Sequence, residues 1–308
     1  MILGLCTFLD HHGIDYTLNE SVKRLSYVGI GGTVALAAYP KNRGELLCLL
    51  SRLVKKGIPY KVVGNMSNVL PPDGEWKICL ISTQRMRNVY FEQGMAVAEC
   101  GAPLSLLCHK MLDYGLAPPA MLMGIPATVG GAVFQNAGAY GLSISERLAF
   151  VDVYDPREDR VVRADRAQMA FSYRRSDISE RGILLSAGII GGNETVSESK
   201  QIRAQILERR RMSQPSERSL GSVFLRVGEK SAAYYIDQCG LKGCRIGGAS
   251  VSQKHAGFII NEGNASAKDF RALIDFVRMR VKERFCVVLQ TEIEIIEETE
   301  EARWLRFV

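Results

Sequence analysis

Two turns of this chain have the residue types and spacing to hold an anion. The first is Gly64-Asn65-Met66-Ser67-Asn68, a flexible glycine followed by serine and asparagine donors. The second is the stretch Gly124–Gly141, GIPATVGGAVFQNAGAYG, inside a run from Tyr114 to Ser145 that carries no charged side chain. Three prolines, six glycines, Gln135 and Asn136 break that run, which argues against a lipid-facing helix and for buried, irregular backbone. Buried backbone N–H and C=O groups must find partners, and a large polar ligand can supply them. Gly130 and Gly131 allow positive φ and a closer approach than any Cβ permits, the way loops bring amide N–H groups to phosphate oxygens. Carboxylates, which would repel such a ligand, are missing. Plainer readings stay open at both places: an Asx or serine turn at the first, a glycine-rich core turn without ligand at the second.

The surrounding elements follow from periodicity and capping. Asn42, with Glu45 three residues on, starts a helix over 43–56 whose apolar face is Leu46, Leu47, Leu49, Leu50, Leu53 and Val54, and Gly57 stops it. With a strand over Tyr27–Tyr39, interrupted by Gly29-Ile30-Gly31-Gly32, and another at Tyr60–Val63, this makes a β-α-β unit. The Gly64–Asn68 turn then lies at the carboxyl end of a strand, the usual ligand position in an α/β layer. The glycines of Gly29–Gly32 lack the spacing of a dinucleotide fingerprint. Residues 1–20 read as a short helix and a turn docked by Leu3, Leu5, Phe8 and Leu9. Short strands follow at 77–81, 89–91 and 95–100, a helix over 103–114, a hairpin at 150–155 and 161–163, and a buried strand at 183–190. An amphipathic helix over 194–211, with Ile202, Ile206 and Leu207 inward, leads to the last third. There, strands are expected at 221–227, 256–260 and 287–296 and helices at 231–239 and 266–285. The final strand turns Leu289, Ile293 and Ile295 to one side and Gln290, Glu292 and Glu294 to the other.

Composition narrows the partners. A chain of 308 residues accommodates two domains or three small ones. The net charge of +6 suits a small anionic substrate; no dense basic stripe with interleaved aromatics speaks for nucleic acid. Arg209-Arg210-Arg211 is the one tight basic cluster, and a solvated helix end explains it most simply. The eight cysteines form no CxxC and have no histidine at ligand spacing, so neither a metal site nor a disulfide framework is signalled. A reduced, cytoplasmic chain without a membrane span is expected; the apolar start lacks the basic region and cleavage site of a signal peptide.

Taken in order, Gly29-Ile30-Gly31-Gly32, Gly64-x-x-Ser67-Asn68, GIPATVGGAVFQNAGAYG, Tyr173-Arg174-Arg175-Ser176, Gly221-Ser222-Val223-Phe224 and Gly240-Leu241-Lys242-Gly243…Lys254-His255-Ala256-Gly257-Phe258…Asn261 form a series that resembles the UDP-N-acetylenolpyruvoylglucosamine reductase family, in its compact subtype. The resemblance covers about residues 24–296. It implies an α+β protein: a two-part FAD-binding region of the vanillyl-alcohol-oxidase (PCMH) type, at 1–86 and 87–212, and an α+β substrate-binding domain at 213–308. It implies non-covalent FAD, NADPH as reductant, and hydride delivery to the enolpyruvyl ether of a UDP-sugar in peptidoglycan synthesis, by a monomer or weak homo-oligomer. Alternatives are a flavin-dependent oxidoreductase acting on another substrate, or a non-catalytic relative that binds flavin or a UDP-sugar.

By the same resemblance, Gly64, Asn65, Ser67, Asn68, Gly124, Ile125, Pro126, Thr128, Gly130, Gly131, Asn136 and Gly138 hold the cofactor. Tyr173, Lys254, His255 and Asn261 hold the substrate, and Arg174, Ser222 and Glu292 are catalytic. Hydride added to the β carbon of an unsaturated carboxylate leaves an enediolate-like anion, which needs a cation at the carboxylate and an acid at the α carbon. Arg174 offers a permanently charged fork for the first task, and the resemblance assigns Ser222 to the second. Glu292, with a pKa expected to be raised by burial near other anions, would help polarise the carboxylate. Without the series, Arg174-Arg175 reads as a solvated strand end, Ser222 as a serine bonded to nearby backbone, Glu292 as part of an exposed edge and His255 as a core histidine. Met66, Ala120, Ala127 and Ser213 depart from the family pattern; at Ser213 a basic residue is usual, and Arg209–Arg211 are candidates to replace its charge.

Overall fold

A computed structural model describes residues 2–297 of the chain. The Arg43–Lys56 helix forms for the reasons its sequence gives. Asn42 accepts the Glu45 N–H on its side chain, Gly57 ends the helix at φ +61, and Leu46, Leu49, Leu50 and Leu53 are fully buried. The helix joins parallel strands Thr33–Tyr39 and Tyr60–Val63, but Glu75–Ser82 lies between them, and Asp15–Ser21 adds antiparallel to the outer edge. The Gly64–Asn68 turn follows directly on the carboxyl end of Tyr60–Val63.

A second, wholly antiparallel sheet runs Arg160–Asp165, Leu148–Asp155, Ile183–Ile190, Met95–Glu99, Val89–Glu92. One apolar core joins it to the first sheet and to the Leu104–Tyr114 helix, and includes Val129, Ala132 and Val133 of the charge-free run. A third sheet, Ser219–Ser222, Phe258–Asn261, Ala249–Val251, Arg245–Ile246, packs on the Ala267–Phe285 helix, whose Phe270, Leu273, Ile274, Val277 and Val281 are buried as the period predicts. This core takes in Val28, Ile30 and Leu70 from the first part of the chain. The start of that helix is tied across as well: the Ala267 and Lys268 N–H groups donate to the Asp73 carboxylate at 2.7 and 2.9 Å, an acidic cap at the positive end of the helix.

Several expectations are corrected. The residues after the first helix form the strand Asp15–Ser21, and Leu3 is 82% exposed. The strand expected from Tyr27 begins only at Thr33, because Gly29 and Gly31 take φ of +70 and +133. The strand expected at 221–227 is confined to Ser219–Ser222, since its pairing with Phe258–Asn261 shifts register at Gly221, φ +75. In the Val196–Ser213 helix Leu207 is 42% exposed rather than inward. The final strand is short: Glu294–Ile295 pairs in parallel with Val69–Leu70. The segment before it is held instead by Leu225 N–H to the Gln290 carbonyl and Glu292 N–H to the Val223 carbonyl.

Candidate functional site

The two turns singled out in the sequence face one another. Asn65 Nδ2 donates to the Pro126 carbonyl at 2.8 Å, and Gln84 Nε2 donates to the Gly64 carbonyl at 3.2 Å. Thr128 caps the short Val129–Phe134 helix, accepting the Gly131 N–H. A Cβ on Gly64 would strike the Thr128 side chain, so glycine sets the spacing between the two turns. Between and beyond them lies a groove of about 550 Å³, within the size range of cofactor and substrate clefts.

Gly64, Asn65, Ser67 and Asn68 line the groove, as do Gly124, Ile125, Pro126 and Thr128, and so do Gly131 and Gly138. Tyr173 and His255 are on its wall, and Arg174, Ser222 and Glu292 converge at one end. Arg174 Nε donates to Glu292 Oε1 at 2.6 Å and its Nη2 to the Gly138 carbonyl at 3.0 Å. Arg174 holds φ +58, strain of the kind that persists where surroundings over-determine a functional side chain. Glu292 is pinned from three directions: its carbonyl accepts Asn68 Nδ2 at 3.3 Å and Gln135 Nε2 at 3.4 Å, and its N–H donates to Val223. One residue thereby connects both turns and the Ser222 strand. The exposed-edge reading of Glu292 fails, since its side chain is 13% exposed. Burial raises its pKa above the usual carboxylate value, against the opposing pull of Arg174. The expected direction holds, but the neighbour is a cation rather than other anions. Ser222 Oγ donates to the Phe224 carbonyl at 3.3 Å while lining the groove. His255 is half-buried; Gly257 N–H donates to its Nδ1 at 3.1 Å, and burial lowers its pKa.

Four expected ligand residues stand off the groove wall. Gly130 is helical, not at positive φ, and its N–H donates to the Cys100 carbonyl at 2.7 Å. Gly131 is helical too, but a Cβ there would meet only Thr128 Oγ1, at 3.6 Å, so its face is open to the groove. Asn136 is buried, donating to the Ser172 carbonyl and accepting the Ser145 N–H, and so positions the segment that carries Arg174. Lys254 Nζ donates to the Arg211 carbonyl. Asn261 is buried, with Nδ2 on the Val28 carbonyl and its Oδ1 accepting the Gly263 and Ala265 N–H groups. Residue type alone does not separate a ligand-facing asparagine from one that satisfies backbone, because the same donors and acceptors serve both. Groove residues not assigned from sequence include Tyr27, Gln135, Arg210 and Gln214. A lone glutamine within a charge-free run was the available signal for Gln135.

The lining suits a nucleotide cofactor: polar turns with little bulk at Gly64, Gly124 and Gly131, beside an apolar floor that includes Ile125, Ala132 and Phe134. Residues 25–165 match a family model described as an FAD-binding domain. This match and the lining of the groove together define a flavin-dependent oxidoreductase of α+β fold. Residues 214–296 match the C-terminal domain of UDP-N-acetylenolpyruvoylglucosamine reductase. Proteins of that name from Caldicellulosiruptor bescii and Streptococcus suis are 38% and 36% identical over 298 and 292 residues, spanning 95% and 94% of this chain and 94% and 96% of theirs. The crystal structure of UDP-N-acetylenolpyruvylglucosamine reductase from Thermus caldophilus superposes with a TM-score of 0.78 at 30% identity, covering 92% of this chain and 99% of that one. The chain belongs to the UDP-N-acetylenolpyruvoylglucosamine reductase family.

Proposed function

We propose that this protein reduces UDP-N-acetylglucosamine enolpyruvate to UDP-N-acetylmuramate, drawing hydride from NADPH through bound FAD, in peptidoglycan precursor synthesis. The observation that carries this reading is the convergence of Arg174, Ser222 and Glu292 at the end of a groove walled by both glycine turns. Bound FAD supplies the hydride transfer. The chain's own residues supply the rest. Gly64–Asn68 and Gly124–Gly131 hold the cofactor with backbone and amide donors, while Asn136 and Gly130 fix that wall from behind. Arg174 turns its fork toward the substrate carboxylate and stabilises the charge that develops there. Glu292, whose pKa burial raises, donates to the same carboxylate in its protonated form. Ser222 Oγ passes its proton to the α carbon, a carbanion-like centre basic enough to take it from an alcohol. Tyr173 and His255 border the substrate end. In this reading the enzyme works in the cytoplasm, where NADPH and UDP-sugars are made, and acts as a monomer or weak homo-oligomer.

The test is spectroscopic. Purified protein should show oxidised-flavin absorbance, bleach with NADPH and recover when the enolpyruvyl substrate is added. Ser222→Ala should slow recovery by a factor of about 100 or more, the usual scale for losing a general acid, and spare bleaching. Equal loss of both half-reactions would overturn the role of Ser222, and a colourless protein that takes up no FAD would overturn the whole reading.

A further inference from the structure

The final segment offers two carboxylates, Glu292 and Glu294, and each meets a cation from a different part of the chain. Arg174 Nε donates to Glu292 Oε1 at 2.6 Å, and Lys61 Nζ donates to Glu294 Oε1 at 2.5 Å across 233 residues of sequence. Lys61 and Arg174, at 12% and 22%, are the least exposed cations in any ion pair between described residues. The Arg174 pair belongs to the site already described. The Lys61 pair does not, since neither Lys61 nor Glu294 lines the groove. Lys61 lies instead in the Tyr60–Val63 strand that leads into the Gly64–Asn68 turn, and Glu294 follows closely on Glu292.

A buried ion pair adds little net stability, because desolvation cancels most of the attraction, but a misaligned one leaves a buried charge without its partner. Such a pair therefore selects a register. This segment needs one. Its pairing of Glu294–Ile295 with Val69–Leu70 is only 2 residues long, carried by Glu294 N–H on the Asn68 carbonyl and Ile296 N–H on the Leu70 carbonyl. A slip of one residue exchanges the side chains that face each way. It would present Ile293 to the groove in place of Glu292 and leave Lys61 unpaired. We propose, on the reading of Glu292 as catalytic, that Lys61 and Glu294 are positioning residues that hold the final segment in the register presenting the Glu292 carboxyl to Arg174 and the groove.

The experiment compares wild type, Lys61→Met, Glu294→Gln, Lys61→Arg and the exchanged pair Lys61→Glu with Glu294→Lys, all loaded with FAD. Stopped-flow absorbance follows bleaching by NADPH and recovery with the enolpyruvyl substrate separately, and flavin fluorescence gives the affinity for FAD. Lys61→Met and Glu294→Gln should slow recovery by roughly 10- to 100-fold, the scale on which a displacement of about 1 Å acts, while bleaching and FAD affinity stay as in wild type. The exchanged pair, which again sets opposite charges across the same gap, should regain most of the loss. Lys61→Arg, which keeps the charge on a different head group and serves if neither single variant folds, should lose less than Lys61→Met. A merely stabilising pair would lower the yield of folded flavoprotein without separating the two half-reactions. Recovery at the wild-type rate in the folded single variants, Lys61→Arg included, overturns the proposal. So does weaker FAD binding with unchanged recovery in the loaded fraction, which would put the pair in the service of the cofactor turn alone. If wild type bleaches with NADPH but does not recover with the enolpyruvyl substrate, the reading of the reaction has failed instead.

Discussion

Glu292 combines features that oppose each other: a bonded arginine favours its charge, yet burial outweighs the arginine and lifts its pKa above the ordinary 4.5. The sign of the consequence follows from linkage. Between the unfolded value and the higher folded one, the folded state binds more protons, so stability falls as pH rises through that window. Glu292→Gln mimics the neutral form. Its thermal midpoint relative to wild type should therefore increase as pH is taken from below 4.5 toward neutrality; a difference independent of pH would show that Glu292 titrates normally. Met66 is a second informative side chain. It holds φ +49, where glycine is at ease, yet it is 3% exposed and packs with Val22, Val63, Val69 and Trp76. Restoring glycine relieves about 1–2 kcal/mol of backbone strain but empties a buried methionine's space, which costs about 2–5 kcal/mol. Met66→Gly should lower stability in a denaturant titration despite its more permissive backbone; a stabilised variant would reverse that ordering.

At the scale of elements, the site depends on how closely two turns and one returning segment are stitched. Gly64→Ala would push against Thr128, the cap of the Val129–Phe134 helix, and so separate the turns. The expected outcome is weaker FAD retention on gel filtration together with a loss of roughly 1–3 kcal/mol in unfolding free energy, typical of overpacking a filled site. Unchanged retention would mean that the spacing of the turns does not matter for the cofactor. The regular elements themselves were written locally. Asn42, Ser231 and Ser266 cap helices where their side chains permit, and Gly57 and Gly115 end helices in the left-handed region. The elements misjudged from sequence lie where glycine conformation overrides a β-rich composition, at Gly29–Gly31 and Gly221.

Across the molecule, the last third is fastened to the first by polar ties as well as by the shared apolar core. Asn261 reaches the Val28 carbonyl and Asp73 caps the Ala267–Phe285 helix. Asn261→Ala should cost about 2–4 kcal/mol, from several buried hydrogen bonds and their unsatisfied partners, while leaving the KM of the folded fraction near wild type. A selective rise in KM with normal stability would return Asn261 to the substrate. Turn chemistry, capping and side-chain period are local properties of the chain, so the order of the glycine turns, the capped helices and the ordered series in which Arg174, Ser222 and Glu292 stand were legible from the residues alone. Which polar residues face the groove was settled by packing between distant segments. Asn136, Lys254 and Asn261 carry groups as suitable for a ligand as those of Asn68 or His255, but the folded backbone left carbonyl and N–H groups that they satisfy instead.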